Sequence, residues 1–333
     1  MKFIKRGGPD ASDRFENFSQ FVGANGRNQR YTGAIRYSST GTLQYPMKFS
    51  ILTASFHQLG WLKRCIRSVA DQQGVAVEHL IQDAGTGLDL EHWVRWNTEA
   101  RLMVVPDRGI YDWLNYALRR VTGDVFGILN CDEQYLPGTL ARVQAEFEAH
   151  PEADLVVGDF LLVDPRLNLL AFRRATPLRP SMILTDHLYD FTCAMFFRSR
   201  LLERGVRFNP DYKAAGDADF VARLLRTGVR VRYVRQYLAA FTILDSNLSL
   251  RADRTEELRR LRAITPGWAL AAAPLLRQIR HLEKLLAGGY SSGPIEYALY
   301  AGDDAEARTQ FRCERPGFRH PWAGKQRKQG GSL

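Results

Sequence analysis

The chain has 333 residues, 46 Lys+Arg against 36 Asp+Glu for a formal net charge of +10, and 45% hydrophobic residues. That composition excludes collagen-like, coiled-coil and wholly disordered classes, and no apolar run reaches the roughly 20 residues a bilayer span needs. The charge is placed at the ends: residues 1–46 carry a net +4 and residues 315–333 a net +5, which leaves residues 47–314 with +1.

Residues 1–46 are rich in Gly, Ser, Asn and Gln without a sustained period, which predicts an irregular basic leader. Lys2, Lys5 and Arg6 are followed by Gly-Gly-Pro-Asp rather than an apolar stretch, so no secretory signal is expected, and Met47 is a candidate initiator. Cys65, Cys131, Cys193 and Cys313 are too scattered for a zinc ribbon or disulfide scaffold, so a reducing, cytoplasmic compartment is expected. From Met47 the periods of strand and helix alternate. Met47 to Phe56 reads as a buried strand, and Trp61, Leu62, Cys65, Ile66 and Val69 recur at helical spacing. Val77 to Gln82 and Leu102 to Val105 are strands, Asp112 to Val121 a helix, and the apolar run Val125 to Leu129 a strand that stops at Asn130-Cys131-Asp132-Glu133. This alternation predicts βαβ units, a mostly parallel sheet, and polar loops at the strands' carboxyl ends. Further strands are expected over 153–163, 192–197 and 229–242, and a helix over 217–227. The expected divisions are a catalytic domain over 47–250, a helical extension over 251–310 and an irregular basic tail over 311–333.

Carboxylates at strand ends are the chemically informative feature. Asp132 and Glu133 follow a fully apolar strand, where a pair of acids is costly unless it is solvated, paired or bound to a cation such as Mg²⁺ or Mn²⁺. The structural alternative is that Asp132 caps the helix beginning near Thr139. Asp217 and Asp219 open a helix after Gly216, where one can be a cap and the other a first-turn acid favoured by the dipole. Neither a G-x-G-x-x-G nor a P-loop pattern follows the first strand.

In order and spacing, these blocks resemble family 2 glycosyltransferases, inverting enzymes of the GT-A fold. The resemblance runs from Met47 to Ser249 through Ile51–Phe56, Leu80-Ile81-Gln82-Asp83-Ala84-Gly85, Asp107-Arg108-Gly109-Ile110-Tyr111-Asp112, Asn130-Cys131-Asp132-Glu133 and Gly216-Asp217-Ala218-Asp219. It implies a Rossmann-like α/β architecture and transfer from a nucleoside-diphosphate sugar, a UDP-sugar, to a glycan or lipid-linked acceptor in polysaccharide biosynthesis. The donor would meet Thr53, Ser55, Asp83, Arg108, Asn130 and Asp132. A divalent metal would sit on Asp132 and Glu133, although Glu133 stands where the family more often has Asp. Asp217 would be the catalytic base, with Asp219 the competitor, and Tyr111 and Asp112 would line the sugar side. A lipid-linked acceptor goes with peripheral contact at the inner membrane face, through the basic tail and the apolar face from Leu275 to Leu286. The competing class, a non-catalytic nucleic-acid or anionic-surface binder built on the basic termini, predicts steep salt dependence that vanishes when both ends are trimmed.

Overall fold

The computed structural model describes residues 47–105, 108–244 and 253–319, together with four two-residue strands inside the leader. Those strands form two antiparallel pairs, β1 (Phe21–Val22) with β2 (Asn28–Gln29) and β3 (Arg36–Tyr37) with β4 (Leu43–Gln44). The rest of the leader, and the tail beyond 319, lie outside the described residues.

The central sheet and its helices begin with β5 (Lys48–Ser55), α1 (Leu59–Ala70), β6 (Ala76–Asp83), α2 (Leu88–Asn97), β7 (Arg101–Val104), α3 (Ile110–Leu118), β8 (Val125–Ile128), β9 (Glu133–Tyr135) and α4 (Thr139–Ala149). They continue with β10 (Leu155–Val163), β11 (Leu169–Arg173), α5 (Pro180–Thr185), β12 (Met195–Arg198), α6 (Gly216–Leu225) and β13 (Val231–Thr242). One nine-stranded sheet has the order β7-β6-β5-β8-β12-β10-β13-β9, with β11 on β10. The pairings make β5, β6, β7, β8, β10 and β13 run one way and β9, β11 and β12 the other, so the sheet is mixed and mostly parallel, as expected.

Period-two alternation places the core on both faces. Phe49 and Ile51 of β5 join Phe147 and Phe196 on the α1/α4 side, while Leu52 joins Trp113, Phe126, Phe197 and Phe220 on the α3/α6 side. Every residue of β10 is buried, including Asp159, whose carboxylate is held by Arg174 at 2.6 Å, Arg235 at 3.4 Å and the Ala175 amide at 2.8 Å. Such burial of a charge is tolerable because it is paired on every side.

The chain beyond 250 comprises α7 (Asp253–Ala263), α8 (Gly267–Ala271), α9 (Ala273–Leu286) and a hairpin of β14 (Ile295–Leu299) and β15 (Thr309–Cys313). The hairpin is a difference from the expected helical extension and irregular tail, since β15 crosses the boundary at 311. It folds back onto the first half. Arg308 donates to both oxygens of Asp71 (2.6 and 2.7 Å) and to the carbonyls of Tyr135 and Ala298, and Gln134 exchanges two hydrogen bonds with the Tyr300 backbone. Strand β9 is thus braced from the far end of the chain.

Candidate active site

The parallel strands β5, β6 and β8 bring Ser55, Asp83 and the Asn130–Glu133 turn to one edge, the carboxyl end of the sheet where α/β folds hold their ligands. The turn is docked there by the Leu129 amide on the Leu52 carbonyl (3.0 Å) and the Cys131 amide on the Ala54 carbonyl (3.3 Å). Two buried polar atoms at this edge, Ser55 Oγ and Asn130 Oδ1, have no hydrogen-bond partner within the protein. Unsatisfied buried oxygens in a native fold call for a partner from outside it.

Glu133 is 1% exposed, and its carboxylate accepts from the Asn130 backbone amide (2.7 Å) and Asn130 Nδ2 (3.3 Å). Burial pushes the Glu133 carboxyl well above the ordinary range; the neighbouring Asp132 charge adds to this, and Asp217 contributes more weakly. Asp132, Glu133 and Asp217, far apart in sequence, therefore share one electrostatic neighbourhood. Clustered negative charge with hard oxygen donors fits a divalent cation. Among the described residues no group of three or more His, Cys, Asp or Glu forms a metal site, so the protein could supply only part of a coordination shell.

The two acids opening α6 are separated by the geometry of the helix. Asp219 is 4% exposed and closes an i,i+4 pair with Arg223 at 2.6 Å, while that guanidinium also holds the Arg207 carbonyl. Asp217, two positions earlier, is half-buried and accepts the Ala218 amide at 2.8 Å. Tyr111 is buried, stacked on Phe208 at 5.6 Å between centroids, and lies so close to Gly216 that a Cβ there would meet its ring at 2.7 Å. Its role is to seat the start of α6. Asp112 pairs with Arg108 (3.4 Å) across the first turn of α3, and the Arg108 side chain is 79% exposed at the rim; the guanidinium holds the Asp112 carboxyl below its usual range.

Thr53 and Asp83, both expected as donor contacts, find partners inside the protein. Thr53 is fully buried, with its hydroxyl donating to the Leu129 carbonyl (2.6 Å) and lying 2.8 Å from His79 Nε2. Asp83 is also fully buried and accepts from the Gly85 amide (2.9 Å), the Thr86 amide and the Thr86 hydroxyl. Its carboxylate therefore orders its own turn, and the Thr86 hydroxyl in turn accepts the His57 amide at 2.8 Å. The two turns frame a cleft of about 520 Å³ lined by His57, Thr86, Gly87 and Leu88, beside Asp83 rather than at Asp132. Phe56, 57% exposed, has its ring centroid 4.1 Å from that of His57, which holds a left-handed φ of 53°. The Ser55-Phe56-His57 run that leaves β5 carries the His57 ring into the lining of this cleft.

His79 gives a pH signature. Burial drives its imidazolium down to about 3, so the folded state refuses a proton that the unfolded chain takes near pH 6.5. The unfolded state binds more protons in that window, and stability falls as pH drops from 6.5 toward 3. His79→Gln should flatten this limb, by up to about 1.4 kcal/mol per pH unit, in denaturant titrations at pH 4 to 7.

The model of the family described as glycosyl transferase family 2 matches residues 50–205. An uncharacterized glycosyltransferase of Mycobacterium tuberculosis, present in two strains, is 26% identical over 185 residues, covering 52% of this chain and 67% of that protein. Among solved structures, S. aureus TarS 1–349 in complex with UDP-GlcNAc superposes with a TM-score of 0.52 at 17% identity, over 73% of this chain and 75% of that one. The mannosyltransferase PcManGT from Pyrobaculum calidifontis, in complex with GDP-Man and Mn²⁺, gives 0.50 at 16% identity, over 78% and 83%. At such identities the structural likeness speaks for the fold, and that fold is GT-A.

Proposed function

We propose, for this member of glycosyltransferase family 2, that the reaction is transfer of a sugar with inversion from a nucleoside diphosphate, a UDP-sugar, to a hydroxyl of a glycan or lipid-linked acceptor in polysaccharide biosynthesis. The observation that carries this reading is the division between the two acids of α6. Asp219 is consumed by Arg223, whereas Asp217 is half-buried and close enough to Asp132 and Glu133 to add to their mutual repulsion. The bound UDP, UDP-GlcNAc and GDP-Man of the structural neighbours support the donor class.

In this mechanism the Asp217 carboxylate takes the proton of the acceptor hydroxyl as its oxygen attacks the anomeric carbon from the face opposite the diphosphate. The bond to the diphosphate oxygen breaks as the new glycosidic bond forms, so configuration inverts in one displacement. Asp132 would hold a divalent metal, which when bound offsets the negative charge gathering on the leaving diphosphate. Glu133, committed to Asn130, sets the shape of the turn and stands behind Asp132. Ser55 Oγ and Asn130 Oδ1 supply hydrogen-bonding capacity for the nucleotide, Asp83 and Thr86 shape its cleft, and exposed Arg108 reaches the diphosphate from the rim. A thermal-shift panel of UDP-, GDP- and dTDP-sugars with and without Mn²⁺ tests the reading. Stabilisation by UDP-sugars that needs Mn²⁺ is expected, and stabilisation by none of them would contradict it.

The acceptor side of the proposal extends to an anionic membrane surface. No helix of the described residues is long and apolar enough to cross a membrane. Leu275, Leu282, Leu285 and Leu286 form an exposed stripe on α9, Trp268 is 64% exposed on α8, and Arg259, Arg260, Arg262 and Arg277 are exposed on α7 and α9. Large apolar side chains interleaved with cations suit the interface of an anionic bilayer. Leu282→Asp/Leu286→Asp should abolish co-sedimentation with vesicles containing phosphatidylglycerol; unchanged sedimentation would remove this contact. Of the basic termini invoked by the nucleic-acid alternative, most of the leader and the cations Lys325, Arg327 and Lys328 lie outside the described residues.

A further inference from the structure

The helix that presents Asp217 starts without a capping side chain of its own. Its N-cap is Ala215, which offers no acceptor to the free amides of the first turn. The turn that leads into the helix is held instead from α7. Glu257 of α7, 4% exposed, accepts the backbone amides of Lys213 (2.5 Å), Ala214 (2.8 Å) and Ala215 (2.8 Å). The amides of Gly216 and Asp217 face the Tyr111 hydroxyl, and Ala218 is taken by Asp217 itself. A carboxylate at a helix N-terminus is also favoured by the dipole.

The same turn reaches across to the donor side. The Lys213 ammonium donates to the Arg108 carbonyl, and a Cβ on Gly109 would lie 3.1 Å from it. Residues 213–215 are therefore pinned at the backbone by Glu257, and pin the Arg108–Gly109 loop through the Lys213 side chain.

We infer that Glu257 is a positioning residue for transfer: from α7, outside the 50–205 family match, it fixes the turn that sets the Asp217 carboxylate and, through Lys213, the Arg108 loop at the donor rim. The inference rests on Asp217 as the base. Because acceptor-side and donor-side loops share one anchor, a loss at Glu257 is felt in both. Misplacing a reacting group by about 1 Å costs up to 10²-fold in rate.

Glu257→Gln keeps the size but turns an amide –NH₂ toward backbone N–H groups. Hydrogen exchange should quicken in peptides covering 211–218 and 108–114 and stay unchanged in β5 and β10. UDP with Mn²⁺ should bind at unchanged stoichiometry, while UDP release from UDP-glucose, UDP-galactose or UDP-N-acetylglucosamine, whichever the wild type turns over, falls about 10- to 100-fold per binding site. A role in folding alone would lower the binding stoichiometry instead. Lys213→Met should quicken exchange over 108–114 and spare 211–218; wild-type exchange over 108–114 in that variant overturns the coupling even if Glu257→Gln does not fold. Asp217→Asn is measured in parallel. Wild-type turnover in Glu257→Gln beside an inactive Asp217→Asn overturns this inference alone, and wild-type turnover in Asp217→Asn overturns the reading on which it rests.

Discussion

Asp217→Asn should fold normally, bind UDP with Mn²⁺ as the wild type does, and lose about 10²- to 10⁴-fold in turnover, the range a general base contributes. The substitution is close to isosteric. An Asn carbonyl can still accept the Ala218 amide, and Asp217 is half-buried rather than sealed in the core, so the effect on stability should be small. What is removed is the capacity to take a proton. The same change at Asp219 should do the opposite: it breaks the 2.6 Å pair with Arg223, which also steadies the Arg207 carbonyl, and so costs stability before it costs chemistry. The contrast between two acids two residues apart is read as kcat for one and melting temperature for the other.

Asp132→Asn should abolish the Mn²⁺ dependence of UDP binding, reduce affinity to the level seen in EDTA, and lower turnover by about 10²- to 10³-fold, as expected when electrostatic stabilisation of a leaving group is removed. The ligand-free protein should lose no stability, because the Asp132 charge that disfavours ionisation of its buried neighbour Glu133 is gone. A variant that is as stable as the wild type yet unable to use metal is the pattern of a site residue held at a structural cost. Calorimetric titration with UDP, with and without Mn²⁺, reads both parts.

Much of this site was legible along the chain because local pattern and chemistry coincide there. The apolar run that became β8 ends where Asn130 begins, and the helical spacing after β5 became α1, so the carboxyl edge of the sheet could be located before any coordinates. What was not legible depends on distant partners. β9 is three residues long and exists because β13 pairs with it about 100 residues later. The β14–β15 hairpin has a half-exposed second strand and is held by Arg308 on Asp71, a contact across 237 residues. Glu257 sits in a charged helix with nothing around it in sequence to suggest that its carboxylate is buried against three backbone amides. Thr53 matched a motif by position, but a motif does not report which face of the strand a hydroxyl occupies, and here it answers a carbonyl in the core. The resemblance puts Asp217 ahead of Asp219, and Arg223, one turn below Asp219, adds a physical reason for that order which the sequence alone does not display.

The central claim is that donor binding and chemistry are divided between Asp132 and Asp217. The most direct test is UDP titration of the wild type, Asp132→Asn and Asp217→Asn by calorimetry with Mn²⁺ and with EDTA. The account predicts Mn²⁺-dependent binding in the wild type, its loss in Asp132→Asn and its full retention in Asp217→Asn. Mn²⁺-dependent UDP binding that survives Asp132→Asn, or that disappears with Asp217→Asn, would contradict it.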